Sequence, residues 1–171
     1  MEQKIYWTTF QHGEIDFIVG ATEDGLCYTG GLHKDVTELT KWVQKRFEKC
    51  EIVENAKKLE PYIQQFHEYF DGTRTHFDLP FFYRGTSFQE SIWRALQNIP
   101  YGETCSYSDI AQRINNPKAV RAVGGAIGAN PILIIVPCHR VLGKDGSLTG
   151  FSGGMELKKV LLEVEGIRNW K

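Results

Sequence analysis

The first thirty residues alternate apolar and polar side chains, which is the pattern of strands that bury one face. The alternation is clear in residues 5–10 and 15–21. His12-Gly13 and Asp24-Gly25 interrupt it, and both dipeptides are typical of tight turns between strands. The pattern therefore predicts a small antiparallel sheet at the start of the chain.

Helical spacing of apolar residues follows this sheet. It predicts one helix over residues 35–49 and a second from Pro61 to Phe70, which ends at Asp71-Gly72. Ile52-Val53, between the two, indicates a short strand. The first part of the chain is therefore expected to be an α/β domain.

A change of charge marks a domain boundary near residue 84, where residues 78–85 are typical of a linker. Residues 1–83 carry 9 Lys and Arg against 14 Asp and Glu, whereas residues 84–171 carry 11 against 7. We therefore expect two domains, 1–83 and 84–171. The positive balance of the second domain suggests that it meets an anionic partner.

Capping signals predict three helices in the second domain. A capping box at Thr86–Glu90 opens the first, which ends before Pro100. Residues 106–114 form the second, and the third starts at Pro117, with Asn116 as its cap, and ends near Gly128. The last two, separated by a tight turn, predict a helix-turn-helix.

The third of these helices contains Gly124-Gly125, although each glycine costs a helix interior about 1 kcal/mol relative to alanine. Two interpretations are open: close packing on a neighbouring helix, or a smooth face that approaches a narrow surface such as a DNA groove. Arg121 stands among these small residues. It is either a solvated or salt-bridged arginine, or a cationic probe for nucleic acid.

Pro137-Cys138-His139-Arg140-Val141 follows the apolar run 132–136, which predicts a buried strand with the cysteine at its end. A thiol is a strong nucleophile only as the thiolate, so it needs a lowered pKa or a nearby base. Consecutive strand residues point to opposite faces, so His139 reaches Cys138 only through a kink or a bridging water. A buried cysteine beside a surface histidine is the other interpretation of the pair.

Composition places the chain among globular proteins. It has 171 residues, of which 42% are hydrophobic and 24% charged. No apolar stretch approaches the roughly eighteen residues that span a bilayer, and the N-terminus lacks the apolar region of a signal peptide. We therefore expect a cytoplasmic protein with no membrane partner.

The four cysteines occur at positions 27, 50, 105 and 138, with no CxxC pair. Two disulfides are possible by number, but a cytoplasmic protein of this size does not need them. The spacing of cysteines and histidines does not form a tetrahedral zinc set, so no metal is expected.

Several of these features occur in an order typical of one family. The positions that carry the resemblance are Tyr107, Asn116–Ala126, Asn130-Pro131, Pro137–Val141, Gly150–Gly154 and Leu161–Gly166. With them the chain closely resembles the methylated-DNA–protein-cysteine methyltransferases, also called O6-alkylguanine-DNA alkyltransferases. The resemblance covers residues 84–166 strongly and extends more loosely through the N-terminal unit, where residues 68–80 look like the approach to the catalytic domain in the bacterial form. It implies a ribonuclease-H-like α/β N-terminal domain and a mainly α C-terminal domain with a winged-helix-like helix-turn-helix.

The resemblance also implies a role for each catalytic position. Cys138 matches the acceptor of the alkyl group, and His139 matches a base that deprotonates it through a water. Glu165 matches the carboxylate that orients the histidine, although a glutamate before Gly166 would otherwise be an ordinary surface residue. Asn130 matches a hinge asparagine, and Tyr107 matches a tyrosine near guanine N3.

DNA contacts follow from the same resemblance. Arg121 matches the finger that enters the base stack, since the family binds the minor groove and flips the damaged nucleotide. Small residues suit a groove about 6 Å wide. The expected DNA-binding positions are Arg121, Ala119, Ala122, Gly124, Gly125 and Ser106.

The implied substrate pocket includes Val141, Ser152, Phe151 and Gly153. Ser152 would offer its backbone N–H to guanine O6, and the carbonyls of Cys138 and Val141 would accept from the guanine amino group. Phe151 replaces a tyrosine of many members, so a hydroxyl contact is lost. Gly153 leaves room for alkyl groups larger than methyl.

The expected function is DNA repair by one irreversible alkyl transfer from O6-methylguanine, and also from O4-methylthymine, in double-stranded DNA. We expect a monomer that needs no cofactor. Two other classes remain open. A non-catalytic lesion-binding protein would carry another residue at position 138, and a cysteine hydrolase with a Cys-His-Glu triad would leave Arg121 and Tyr107 unexplained.

Overall fold

The alternating segments at the start of the chain form three antiparallel strands, as their pattern predicts. They are β1 (Gln3–His12), β2 (Ile15–Thr22) and β3 (Gly25–Thr29). The structure is a computed structural model that describes residues 3–148 and 154–170. The chain divides into two units, Met1–Arg84 (unit 1) and Gly85–Lys171 (unit 2).

Two helices and a fourth strand complete unit 1. They are α1 (Val36–Arg46), β4 (Cys50–Glu54) and α2 (Ala56–Phe70). β4 pairs in parallel with β1, which gives the strand order β3-β2-β1-β4. The predicted start of α2 at Pro61 is wrong, because the Asn55 side chain caps the helix by accepting from the Lys58 N–H at 3.1 Å.

Neighbouring strand residues point to opposite faces of the sheet, and in unit 1 a helix packs against each face. One face packs Ile5 and Ile18 against Leu39 of α1. The other packs Phe10 and Phe17 against Phe66 of α2, with ring centroids 5.7 and 5.5 Å apart. The sheet therefore lies between the two helices.

The segment predicted as a linker pairs with β3. The Leu26 N–H donates to the Pro80 carbonyl at 2.9 Å, and the Phe82 N–H donates to the Leu26 carbonyl at 3.0 Å. Gly25 has a φ of +136°, and a Cβ there would lie 2.7 Å from the Pro80 carbonyl. The close approach requires glycine at this turn.

Unit 2 contains the three predicted helices, α3 (Ser87–Leu96), α4 (Tyr107–Arg113) and α5 (Val120–Gly128). The Thr86 capping box is present as predicted. The predicted cap and start of α5 are wrong, because Asn116 uses its backbone carbonyl to close a turn with the Ala119 N–H at 3.0 Å. The helix then begins at Val120 without a side-chain cap.

The remaining elements of unit 2 are the parallel strands β5 (Cys105–Ser106) and β6 (Val141–Leu142) and helix α6 (Met155–Val164). Trp93 of α3 anchors α5, since its indole N–H donates to the Ala126 carbonyl at 2.9 Å. Within residues 3–148 and 154–170, no helix combines the length and the hydropathy needed to cross a membrane.

The strand predicted for residues 132–136 is wrong. These residues are buried as expected, but they form a tight turn in which Ile134 has a φ of +76°. The Val136 N–H donates to the Ile132 carbonyl at 3.0 Å. A buried apolar run is compatible with a strand and with a buried turn. Here the backbone groups of residues 132–136 form hydrogen bonds with one another.

Candidate active site

Cys138 is the first residue of a 3₁₀ turn, Cys138–Arg140, and its residue surface is 1% exposed. Asn130, two residues after α5, holds it. The Asn130 amide nitrogen lies 3.2 Å from the Cys138 sulfur and donates to the Val136 carbonyl at 2.9 Å. Its amide oxygen accepts from the Ile132 N–H at 3.0 Å. One buried amide therefore fixes both the apolar turn and the thiol.

The 3₁₀ turn also changes the relation between Cys138 and His139. The strand expected here is replaced by a turn, which is the kink that the sequence analysis allowed: the two residues are consecutive in it and both are buried. His139 is fully buried, which excludes the interpretation of a surface histidine.

A buried network surrounds the histidine. His139 Nε2 lies 2.5 Å from Glu165 Oε2, and Arg140 binds the same carboxylate with Nε at 2.8 Å and Nη2 at 3.1 Å. The Gly102 N–H adds a bond to Glu165 Oε1 at 3.0 Å, and Arg140 Nη1 reaches the Ile99 carbonyl at 2.7 Å. Glu165 is 7% exposed, so it is not an ordinary surface residue.

The charges in this network decide which histidine nitrogen is basic. Burial by itself raises the pKa of Glu165, but the hydrogen bonds and charges of His139 and Arg140 hold it well below its usual range. Burial lowers the pKa of His139, although Glu165 opposes this shift, so we assign a neutral imidazole. Since a carboxylate only accepts, the Nε2–H of His139 donates to it, and Nδ1 carries the lone pair. Nδ1 is buried and has no hydrogen-bond partner among the described residues.

Burial raises the pKa of the Cys138 thiol to about 11, while the Asn130 bond and the charge of Lys158 lower it. Burial also raises the pKa of two other cysteines, that of Cys27 to about 12 and that of Cys105 to about 11. A thiol with a high pKa needs a base in order to react. Its polar neighbours, and not its acidity, distinguish Cys138.

Lys158 of α6 is a site residue that the sequence reasoning missed. Its side chain is fully buried and donates to the Val141 carbonyl at 2.8 Å. Burial lowers the pKa of Lys158 to about 8. The signal was present, because position 158 shares the buried helical face of Leu161 and Leu162. Arg140 is a second such residue, since it lies within the Pro137–Val141 motif but nothing in the sequence points to its contact with Glu165.

The helix-turn-helix carries the other predicted positions. Tyr107 is half-buried at the start of α4, and a Cβ on Gly124 would meet its ring only at ordinary contact distance, 3.9 Å. A Cβ on Gly125 would meet no heavy atom of the described residues within 4 Å. Internal packing therefore does not require glycine at position 125.

The exposed face of α5 contains Arg121, Ala122, Gly125 and Gly128, which recur at helical spacing. Ala119 precedes this helix and is half-buried. Ser106 caps α4, and its hydroxyl accepts from the Asp109 N–H at 3.1 Å. The predicted DNA-binding positions thus lie on α5 and around the start of α4.

The predicted substrate-binding positions are only partly described. Val141 is buried, and its carbonyl accepts from Lys158, while the Cys138 carbonyl accepts from the Val141 N–H. Each carbonyl oxygen keeps a second lone pair. Phe151, Ser152 and Gly153 lie outside the described residues. Within the described residues, no three His, Cys, Asp or Glu side chains are grouped to hold a metal ion.

Comparisons with known proteins place these features in one family. The model of the 6-O-methylguanine DNA methyltransferase DNA binding domain matches residues 87–167. The model of the ribonuclease-like domain of the same protein matches residues 5–83. The two matches fall in unit 2 and unit 1, respectively.

Relatives and solved structures agree with these matches. The chain is 51% identical over 161 residues to the inducible methylated-DNA–protein-cysteine methyltransferase of Bacillus subtilis, covering 94% of this chain and 90% of the relative. It resembles the crystal structure of the Mycobacterium tuberculosis O6-methylguanine methyltransferase with a TM-score of 0.80 and 37% identity, over 94% of this chain and 92% of that one. Mycobacterium tuberculosis OGT in complex with DNA matches with a TM-score of 0.79, 38% identity and the same coverage. The chain therefore belongs to the methylated-DNA–protein-cysteine methyltransferase family.

Proposed function

We propose that this protein repairs O6-alkylguanine in DNA by transferring the alkyl group to its own Cys138. The observation that carries the proposal is the buried thiol bound by Asn130 next to a neutral histidine whose free nitrogen is basic. Glu165 fixes that histidine, which completes a nucleophile, a base and an orienting carboxylate. The names of the relatives support the same reaction.

The transfer requires one proton relay and one displacement. Nδ1 of His139 takes the Cys138 proton through a bridging water, and the sulfur attacks the alkyl carbon. A carbon–sulfur bond forms while the carbon–O6 bond breaks, and its electron pair remains on guanine. The Tyr107 hydroxyl donates a proton at guanine N3, so the base leaves neutral. Water does not cleave the thioether under mild conditions, so each molecule acts once.

The guanine is oriented by backbone groups. The carbonyls of Cys138 and Val141 accept from its amino group with their second lone pairs, and Lys158 holds the Val141 carbonyl in place. From the resemblance we also propose that the Ser152 N–H donates to O6 and that Phe151 and Gly153 belong to the pocket; all three lie outside the described residues. O4-methylthymine, which we also propose as a substrate, would present its O4 to the same N–H but has no amino group to donate to the two carbonyls.

The DNA is bound through its minor groove, and the damaged base is flipped into the pocket. The smooth exposed face of α5 supports this, since no described residue packs against the position of a Cβ at Gly125 and the space is open to a partner. Arg121 takes the place of the flipped base. The positions proposed to contact DNA with it are Ala119, Ala122, Gly124, Gly125 and Ser106.

We propose a ribonuclease-H-like fold for residues 1–83 and a winged-helix-like arrangement for residues 84–171. The strand order β3-β2-β1-β4, with helices on both faces, supports the first assignment. We also propose that the protein works as a monomer in the cytoplasm, where its four free thiols stay reduced.

Intact-protein mass spectrometry tests the transfer. The protein is mixed with a duplex containing one O6-methylguanine, and we expect a gain of one methyl group that maps to Cys138. Cys138→Ser is expected to gain none, whereas Cys105→Ser, which removes a half-buried thiol of the same unit, still reacts. Continued turnover beyond one lesion per protein would exclude the proposal, and binding without methylation would identify a lesion-binding protein.

Arg121→Ala tests the finger. We expect the variant to lose at least tenfold more rate on duplex DNA than on free O6-benzylguanine, because only the duplex requires a flipped base. Single-turnover rates on the two substrates give the comparison, and Arg113→Ala on α4 is the control. An equal loss of rate on both substrates would contradict the proposed role of Arg121 in the base stack.

A further inference from the structure

A pair of histidines in unit 1 is not used by the proposed reaction. His12 ends β1, and His67 lies in the last turn of α2. Their Nδ1 atoms are 2.9 Å apart. The other nitrogen of His12, Nε2, lies 3.3 Å from Oδ1 of Asp71, the residue that caps the end of α2.

Aromatic neighbours hold both imidazole rings. The His12 ring is parallel to Phe10 within 3° and lies 5.8 Å from Phe70, with an interplanar angle of 29°. The His67 ring centroid is 4.7 Å from that of Phe10. Because these rings are packed together, the two nitrogens are fixed close to each other before any ligand arrives.

Two facing nitrogens at this distance fit a shared cation. With a nitrogen–metal distance of about 2.05 Å, a separation of 2.9 Å corresponds to a nitrogen–metal–nitrogen angle of about 90°. That angle suits the tetragonal or square-planar geometry of Cu²⁺ and Ni²⁺ better than a tetrahedral ion. Asp71 matches the carboxylate that typically accepts from the second nitrogen of a metal-bound histidine.

We propose that His12 and His67 form a two-nitrogen site for a divalent transition metal ion of the Ni²⁺ and Cu²⁺ class. Without metal, the Nδ1–H of His67 donates to Nδ1 of His12, since the proton of His12 is on Nε2, near Asp71. On binding, the proton of the His67 imidazole moves to its own Nε2, so both Nδ1 lone pairs face the ion and both rings stay neutral. The Asp71 carboxylate, 3.3 Å from His12 Nε2, favours a proton on that nitrogen in both states.

Water completes the coordination, since His12 is 28% exposed and no group of three or more metal-binding side chains exists in residues 3–148 and 154–170. The ion then joins the end of β1 to the end of α2. Bound metal therefore stabilises unit 1 in proportion to its concentration.

Titration calorimetry of the full chain with Ni²⁺ tests the site. We expect one ion per molecule, with binding lost in His12→Gln and in His67→Gln. His76→Gln, an exposed histidine of the same unit, is the matched control and keeps wild-type affinity. Asp71→Asn is expected to bind about tenfold more weakly.

Nuclear magnetic resonance of the wild-type protein gives a test that does not depend on any variant folding. Ni²⁺ at the proposed site selectively broadens the imidazole signals of His12 and His67. Broadening centred on His33 or His76, or unchanged Ni²⁺ affinity in His67→Gln, would overturn the proposal. Alkyl transfer to Cys138 is measured in the same samples, so a failure of the metal site is distinguishable from a failure of the proposed reaction.

Discussion

Each unit contains an arginine–glutamate pair with nearly the same distance between Nε and Oε1. In unit 1, Arg74 Nε lies 2.7 Å from Glu68 Oε1, and in unit 2, Arg140 Nε lies 2.8 Å from Glu165 Oε1. The side chains of the first pair are 27% and 34% exposed, whereas those of the second are 10% and 0% exposed. Water screens the first pair, but removing one partner of the second leaves a buried charge unpaired. Burial, not distance, separates the two.

The interiors of the two units also differ in how many polar and charged side chains they bury. Unit 1 fills its core with apolar and aromatic side chains such as Phe10 and Phe66. Unit 2 buries His139, Lys158 and Glu165 close to a thiol. Buried ionic groups are weak contributors to stability compared with apolar packing. The polar interior of unit 2 is therefore explained by its chemistry.

Glu165→Gln gives the largest expected effect. The substitution removes the charge that Arg140 requires and weakens the orientation of His139. We expect unit 2 to lose about 3–5 kcal/mol of unfolding free energy and alkyl transfer to slow by about a hundredfold or more. Urea unfolding and single-turnover transfer from free O6-benzylguanine measure the two losses. Glu163→Gln, exposed on the same helix, is the control and should change neither.

The effect of Glu165→Gln should depend on pH. The pKa of Glu165 is lower in the folded protein than its ordinary value of 4.5, so its contribution is complete above about pH 4.5 and is lost as the pH falls. The stability gap between wild type and variant should therefore shrink on acidification. A gap that stays constant down to pH 3 would contradict a buried, ionised Glu165.

Lys158→Met is expected to separate stability from activity. The Lys158 charge lowers the pKa of the Cys138 thiol, so its loss should slow transfer about tenfold for each unit that this pKa rises. Stability at pH 7 should change little or rise by up to about 2 kcal/mol, because the variant no longer buries a charge but loses the bond to Val141.

The stability difference between the wild type and the Lys158→Met variant is also a function of pH. Since the pKa of Lys158 is lowered from 10.5 to about 8, its unfavourable contribution is complete below pH 8 and disappears as the pH rises to 10.5. Lys159→Met, on the exposed side of α6, is the control. Faster transfer in Lys158→Met would show that the charge does not assist the thiol.

Local rules predicted the ends of several elements. The Thr86 capping box and the Gly13 turn were correct because each depends on residues close together in the chain. The strand at 132–136 failed because burial alone does not decide how a backbone satisfies its hydrogen bonds. The positive φ of Ile134 has no signal in the sequence, since isoleucine disfavours it.

The candidate site was accessible by two different routes. The pairing of Cys138 with His139 was visible as a motif, whereas the role of Asn130 came only from resemblance. Lys158 was accessible from helical periodicity, since its position faces inward. Glu165 is 26 positions from His139 and 25 positions from Arg140 along the chain, so only the folded chain supplies the distances that join them.

Glu68→Gln gives the smallest expected effect and completes the comparison of the two pairs. The 2.7 Å contact with Arg74 is lost, but water solvates the arginine because the pair is about one-third exposed. We expect a change of less than about 1 kcal/mol in unfolding free energy, reduced further by salt, and an unchanged rate of transfer to Cys138. Urea unfolding at low and high ionic strength measures it beside Glu165→Gln. If the two substitutions cost equal amounts, burial would not be what distinguishes the pairs, and the explanation of the polar interior of unit 2 would fail.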